Sequence, residues 1–215
     1  MASQKHKGSE MSGRLGNILT YPLNGKMVSR TIGVSTKPPT ENQLAILSIG
    51  PLINDFTKHI KEFISVGFEL EGKLNNQHFT NEMYAYTFNN ALKGKYPSIE
   101  IDYTKVLFSK GLMTKTLEVV AQPSVNGLTF TWDPKVNNYW RWNDRVMIMA
   151  YIPEIRKAQY IISGATRNNG VEFLPLQEFL EPLLIHTYVS FIAADHRSIS
   201  DSLYTGAILW KGDNM

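Results

Sequence analysis

The chain has 215 residues, 43% of them hydrophobic and 19% charged, with a net charge of +3 and no cysteine. That length and apolar content suit one large domain or two small ones around a buried core, and they exclude disorder by composition. The missing cysteines exclude disulfide staples, thiolate metal sites and cysteine nucleophiles.

Residues 1–12 are polar and show no periodicity. They lack the apolar core of a signal peptide, and no later run approaches the ~18 apolar residues of a membrane helix. The expectation is a protein made in the cytoplasm, without membrane insertion; a released assembly is compatible with this. Charge is unevenly placed. Residues 1–40 hold six basic residues against Glu10, a balance of +5, whereas 41–215 carry −2. A basic arm on a slightly acidic body reads as a phosphate-binding tail, as an arm that docks on a neighbouring copy, or as a solvated terminus.

Residues 15–21 and 26–32 read as two short strands joined at Asn24-Gly25. Asn-Gly between apolar runs is a strong hairpin signal, because a type I′ turn needs φ > 0 at both central residues. Leu15, Asn17 and Leu19 fall on one face of the first strand, Ile18 and Thr20 on the other. Pro22 suits an edge strand. A two-strand hairpin is marginal in water, so it must pair with its own chain or with another. The interface residues this predicts are Leu15, Ile18, Tyr21, Asn24, Gly25, Val28 and Arg30.

Ser35-Thr-Lys-Pro-Pro-Thr40 reads as a linker stiffened by two prolines. Thr40 with Gln43 three residues on resembles a capping box and opens a helix or a kinked pair over about 41–66. Leu44, Leu47, Leu52, Phe56, Ile60, Phe63 and Ile64 set its apolar face, and Gly50-Pro51 predicts a kink or break. Gly67 is a plausible stop. Residues 68–73 suggest a short strand. Thr80 predicts the cap of a second helix over about 81–92, with Tyr84, Phe88 and Leu92 on one face.

From Ile99 the pattern turns to β. After an alternating stretch at 99–108, strands are expected at 115–121, 128–132, 145–152, 159–163, 171–174, 183–193 and 202–209. Turn signals such as Asn126-Gly127 and Asn169-Gly170 separate them. Seven short strands at this spacing argue for a β-sandwich, with Trp132 in its core and 183–193 as a central strand.

Gly13-x-x-Gly16-Asn17, Asn24-Gly25-Lys26-x-Val28-x-Arg30, Pro39-Thr40-x-x-Gln43, Ala91-x-x-Gly94-x-Tyr96-Pro97, Ile101-Asp102-Tyr103, Leu107-Phe108-Ser109-x-Gly111, Phe130-x-Trp132 and Ser200-Asp201-Ser202-x-Tyr204-x-Gly206 follow one another along nearly the whole chain. In this order they resemble a family of uncharacterised Bacteroidetes proteins known only as a domain of unknown function. The resemblance implies no catalytic residues. The C-terminal half also resembles an immunoglobulin or fibronectin type III sandwich, without the antibody-type disulfide, and such a likeness concerns fold alone.

The five histidines, His6, His59, His78, His186 and His196, show no metal-binding spacing. His186, on a strand beside Tyr188, reads as structural. Asp195-His196 reads as a turn; Ser198, Ser200 and Ser202 lie near it in sequence, but no G-x-S-x-G elbow supports a triad. Gly13-Arg-Leu-Gly16 lacks the ending of a phosphate loop. Tyr139, Trp140, Arg141 and Trp142 sit on a loop between sandwich strands. They read as an interface hot spot, a sugar platform or a cover for the sandwich end. No recognition-helix or RNP pattern appears, so nucleic acid is not an expected partner.

The resulting expectation is an α+β protein: a basic arm with a hairpin (1–37), a helical segment (38–98) and an immunoglobulin-like β-sandwich (99–215). It carries no catalytic residue, no cofactor and no metal. Its expected role is structural and non-enzymatic, with other copies of itself as partner: the arm of one copy adds as a strand to a sheet of another, building a filament, tube or virion-like shell. The alternative is a monomeric immunoglobulin-like binding module that uses residues 139–142 for a glycan or protein ligand.

Overall fold

The computed structural model describes residues 12–33, 37–115, 118–134 and 143–212. The chain divides into two compact units, 1–40 and 41–215.

The first unit is an antiparallel meander of β1 (Gly13–Leu15), β2 (Ile18–Leu23) and β3 (Lys26–Thr31). The expected type I′ turn is present, with φ of 50° at Asn24 and 75° at Gly25. The single strand expected over 15–21 is corrected to two. Gly16, at φ 59°, opens a two-residue loop with Asn17, and Leu15 pairs with Ile18 across it. Glycine as the first central residue is what a type II′ turn requires. Leu15 and Ile18 therefore share a face, instead of lying on opposite ones.

The second unit opens with α1 (Glu41–Lys58), α2 (Lys61–Gly67), α3 (Glu69–Leu74) and α4 (Phe79–Asn90). The helix starts directly after Thr40, but the break expected at Gly50-Pro51 does not occur there; it falls after Lys58. Proline costs the bond to the carbonyl four residues back. Here that carbonyl belongs to Leu47, which is 64% exposed, so water can take the place of the lost donor. Gly67 does end α2, and a Cβ there would meet the backbone of Phe108.

The strand expected at 68–73 is helical instead. Phe68 and Gly72 are buried one turn apart, and Lys73 pairs with Glu69 at 2.6 Å. Alternation over so few residues does not separate the two periods. At α4 the cap is His78, whose Nδ1 accepts from the Thr80 N–H, and the buried pair is Met83 and Thr87 rather than Tyr84 and Phe88. The expected strand at 99–108 shrinks to β5 (Glu100–Ile101), paired with β4 (Leu92–Lys93). Asp102 ends it by accepting from both the N–H and the hydroxyl of Thr104, which turns the chain.

Seven strands follow: β6 (Val120–Ser124), β7 (Gly127–Thr131), β8 (Arg145–Ile152), β9 (Lys157–Ile161), β10 (Val171–Pro175), β11 (Leu183–Ile192) and β12 (Leu203–Trp210). They form one sheet in the order β10-β7-β6 and another in the order β12-β11-β8-β9. All pairs are antiparallel. The fold is α+β, and β11 is central as expected.

The four-stranded sheet is covered on both faces. Val146, Ile148, Ala150 and Ile152 of β8 join Leu128, Phe130, Leu174, Val189 and Phe191 in one hydrophobic cluster, which the three-stranded sheet shares. Met147, Met149 and Tyr151, the alternate residues of β8, join Phe56, Ile60, Phe63 and Ile64 of the helical region in a second cluster. Trp132 is a core aromatic, edge-on to Phe191 with centroids 5.5 Å apart.

Candidate functional site

The register of the meander sorts its side chains, because directly opposed residues share a face. One face carries Leu15, Ile18, Thr20, Pro22, Met27, Ser29 and Thr31 and has no charge. The other carries Arg14, Leu19, Tyr21, Leu23, Lys26, Val28 and Arg30. Thr20 and Ser29 share a hydroxyl hydrogen bond of 2.9 Å on the uncharged face, and the Arg30 guanidinium lies 5.7 Å from the Tyr21 ring centroid on the basic one. Of the residues predicted from sequence, Leu15 and Ile18 thus lie on one side, Tyr21, Val28 and Arg30 on the other. Asn24 and Gly25 form the turn at the tip.

No residue of β1–β3 is buried; Leu15 is 84% exposed, Ile18 48% and Leu23 49%. Chemically this element offers apolar side chains, three cations and two outer strand edges with unpaired backbone groups.

A second cluster lies where the helical region meets the four-stranded sheet. His186 stacks on Tyr103 at 4.7 Å, and its Nδ1 is 3.0 Å from the Tyr204 hydroxyl. Tyr188 donates to the Tyr103 carbonyl at 2.6 Å. Burial holds the His186 imidazole below its ordinary pKa and pushes the Tyr188 and Tyr204 phenols up. Burial and then Glu62, which accepts the Tyr160 hydroxyl at 2.7 Å, push Tyr160 up to about 12. Burial thus favours the neutral forms of the imidazole and the phenols, and their hydrogen bonds are made within the protein, an arrangement that packs the core. A shallow depression of about 530 Å³ opens beside them, with Tyr86, Asn90, Lys105 and Tyr204 in its lining.

The Asp195-His196 turn is as read: His196 has φ 55°, and Asp195 accepts from the Arg197 N–H at 3.1 Å. The nearby serines serve the backbone. Ser200 accepts from the Phe191 N–H, and Ser202 from the Phe108 N–H. Among the described residues no group of three or more His, Asp or Glu is placed to hold a metal ion.

Sequence reasoning missed Arg167. It is 1% exposed and faces Asp144, 2% exposed, across 3.6 Å. Its Nη2 donates to the Thr114 carbonyl, its guanidinium lies 4.3 Å from the Phe191 ring centroid, and its own carbonyl accepts from the Trp132 indole at 2.7 Å. Burial lowers the Arg167 pKa and Asp144 opposes the shift. Thr-Arg-Asn-Asn-Gly reads as a polar turn, and nothing local marks its arginine as buried. Tyr139, Trp140, Arg141 and Trp142, like His6, lie outside the described residues.

No curated protein and no solved structure matches this chain. A family model does, over residues 10–206, a span that includes the meander and almost all of the body. The motif series that resembled a domain of unknown function therefore has its counterpart, and the chain belongs to the family of unknown function DUF6266.

Proposed function

We propose that this chain is a non-enzymatic structural protein that self-associates through its N-terminal arm, an arm strand of one copy adding to a sheet edge of another. The observation that carries the reading is the unburied meander. A small sheet needs a covered hydrophobic face to be stable in water, and β1–β3 contain no buried residue. Its exposed Leu15, Ile18 and Leu23 call for a partner surface. The charge split between a +5 arm and a −2 body makes a neighbouring body a favourable one. A contact that fails to close gives a filament or tube, and one that closes gives a shell.

The body is read as an immunoglobulin or fibronectin type III-like sandwich. Its seven strands, numbered from β6, lie in the orders 5-2-1 and 7-6-3-4, and this arrangement supports the reading. Such a body is a scaffold and does not by itself give a function.

The test is mass in solution by light scattering, with electron micrographs of the same sample, for the full chain and for one lacking residues 1–37. A large regular assembly that falls to a single chain on truncation is expected. A monomeric full-length chain overturns the proposal.

One observation favours a second reading, a monomeric binding module that presents Tyr139, Trp140, Arg141 and Trp142 to a glycan or protein ligand. Trp132 and Asp144, which flank 135–142 in sequence, are both tied to the buried Arg167 and so lie on one rigid support. Tryptophan fluorescence titrated across a glycan panel tests it, and a flat response removes the sugar ligand.

A further inference from the structure

Among the described residues the three- and four-stranded sheets of the body end in four edge strands, β6, β10, β9 and β12. Edges present unpaired N–H and C=O groups, and soluble proteins blunt them with proline, charge or short length. Three of these edges are blunted. β6 contains Pro123, β10 contains Glu172 and ends at Pro175, and β9 begins with Lys157; each is five residues long. β12, Leu-Tyr-Thr-Gly-Ala-Ile-Leu-Trp, is eight residues long and has neither proline nor charge. β6 passes near it but hydrogen-bonds to β7.

β12 has one irregularity. Its register against β11 shifts at Thr187/Tyr188 and leaves Thr205 over as a bulge. Beyond the bulge, residues 206–210 run in unbroken register against 187–183. On this straight run Leu209 is 68% exposed and faces Leu184, itself 39% exposed. This edge, which lacks proline and charge and has β6 beside it, therefore also carries an exposed apolar cross-strand pair.

We propose that the outer edge of residues 206–210 is the acceptor of the arm, and that its occupant is β3 of a second copy. This inference rests on the self-association reading. β3 is the donor because β2 is paired on both sides and β1 has three residues, whereas β3 has six, lacks proline and is free along one side. Met27 on its uncharged face supplies an apolar side chain to cover Leu209. With Met27 opposite Leu209, antiparallel pairing brings Lys26 to the end of the acceptor where Glu178 packs against Gly212 just past β12.

The chain has no cysteine, so any introduced thiol is unique. Ser29→Cys chains are mixed with Leu209→Cys chains and treated with a short bis-maleimide, which tolerates a residue or two of register. Light scattering is run in parallel on the Leu209→Lys chain, whose melting temperature reports folding. The expected result is a mixed cross-link in at least tenfold excess over either homodimer, and collapse of the Leu209→Lys assembly to a single chain that melts cooperatively at the temperature of the chain lacking residues 1–37. An assembly that persists in Leu209→Lys without a mixed cross-link overturns β12 as acceptor while leaving self-association intact. A wild-type chain that is already monomeric overturns self-association itself. A doubly substituted chain that cross-links within itself at high dilution overturns the second copy as occupant.

Discussion

Arg167 and Asp144 are both almost fully withdrawn from water, and neither desolvation is recovered unless the other charge stays in place. Removing one partner takes the opposing charge from a buried ion, so Arg167→Ala is expected to cost about 3–5 kcal/mol, read as a lower urea midpoint. The double change Arg167→Met with Asp144→Leu is expected to cost less than the single one, because no charge is left unpaired. Equal losses would mean that the pair contributes through volume alone. The tyrosines act at high pH. Tyr160 is held up to about 12 against an ordinary value of 10, so in the unfolded chain it loses its proton first. Its contribution is fully present below pH 10 and disappears as pH rises towards 12. Melting temperatures from pH 9 to 12 should therefore fall more steeply for the wild type than for Tyr160→Phe. Parallel curves would show that other phenols set the alkaline limit. Sequence reading identified Trp132 as core because a strand pattern surrounds it. It could not identify Arg167, because an arginine in a polar turn carries no local sign that the fold will close over it.

At the scale of single elements, legibility followed the range of the forces involved. The Asn24-Gly25 turn and the start of α1 are set by residues next to one another, and both were legible. The extra turn at Gly16-Asn17 is just as local, but it lies inside an apolar run that an unbroken strand explains equally well. Residues 68–73 alternate like a strand, yet tertiary burial of Phe68 and Gly72 on one side selects a helix. Pro51 is the reverse case: a strong local signal for a break, overridden because the helix around it buries Ile49, Ile53 and Phe56. The helix holds in spite of its proline, and Pro51 is exposed. Pro51→Ala is therefore expected to stabilise the body by up to about 3 kcal/mol, the gap in helix propensity between the two residues. Calorimetry measures it, and an unchanged or lower melting temperature would mean that α1 is shaped around the proline ring.

Over the whole molecule, the four-stranded sheet is the layer that the rest of the body needs. β8 reads as an almost unbroken apolar run because the three-stranded sheet covers one of its faces and the helical region the other. Periodicity can say that a strand is covered twice; it cannot say by what, since the covering helices lie more than 75 residues away in sequence from some of the strands they meet. Six of the seven strands and a helical stretch were therefore legible; the strand expected at 115–121 is displaced to 120–124, and the common core was not legible. The consequence is a dependence that truncation exposes. In a chain cut to residues 99–215, Met147, Met149, Tyr151, Tyr188 and Ile192 lose Phe56, Ile60, Phe63 and Ile64, which share their cluster. Each apolar side chain returned to water gives up about 1.5–3 kcal/mol, so five of them together are comparable with the whole stability margin of about 5–15 kcal/mol. The 99–215 chain is expected to be insoluble, or to bind a hydrophobic dye without a cooperative melt. The chain cut to 41–215 keeps both clusters and is expected to melt cooperatively, at the temperature of the unassembled chain. If 99–215 melts cooperatively near that temperature, the helical region is an attachment to a self-sufficient sandwich and not a wall of its core.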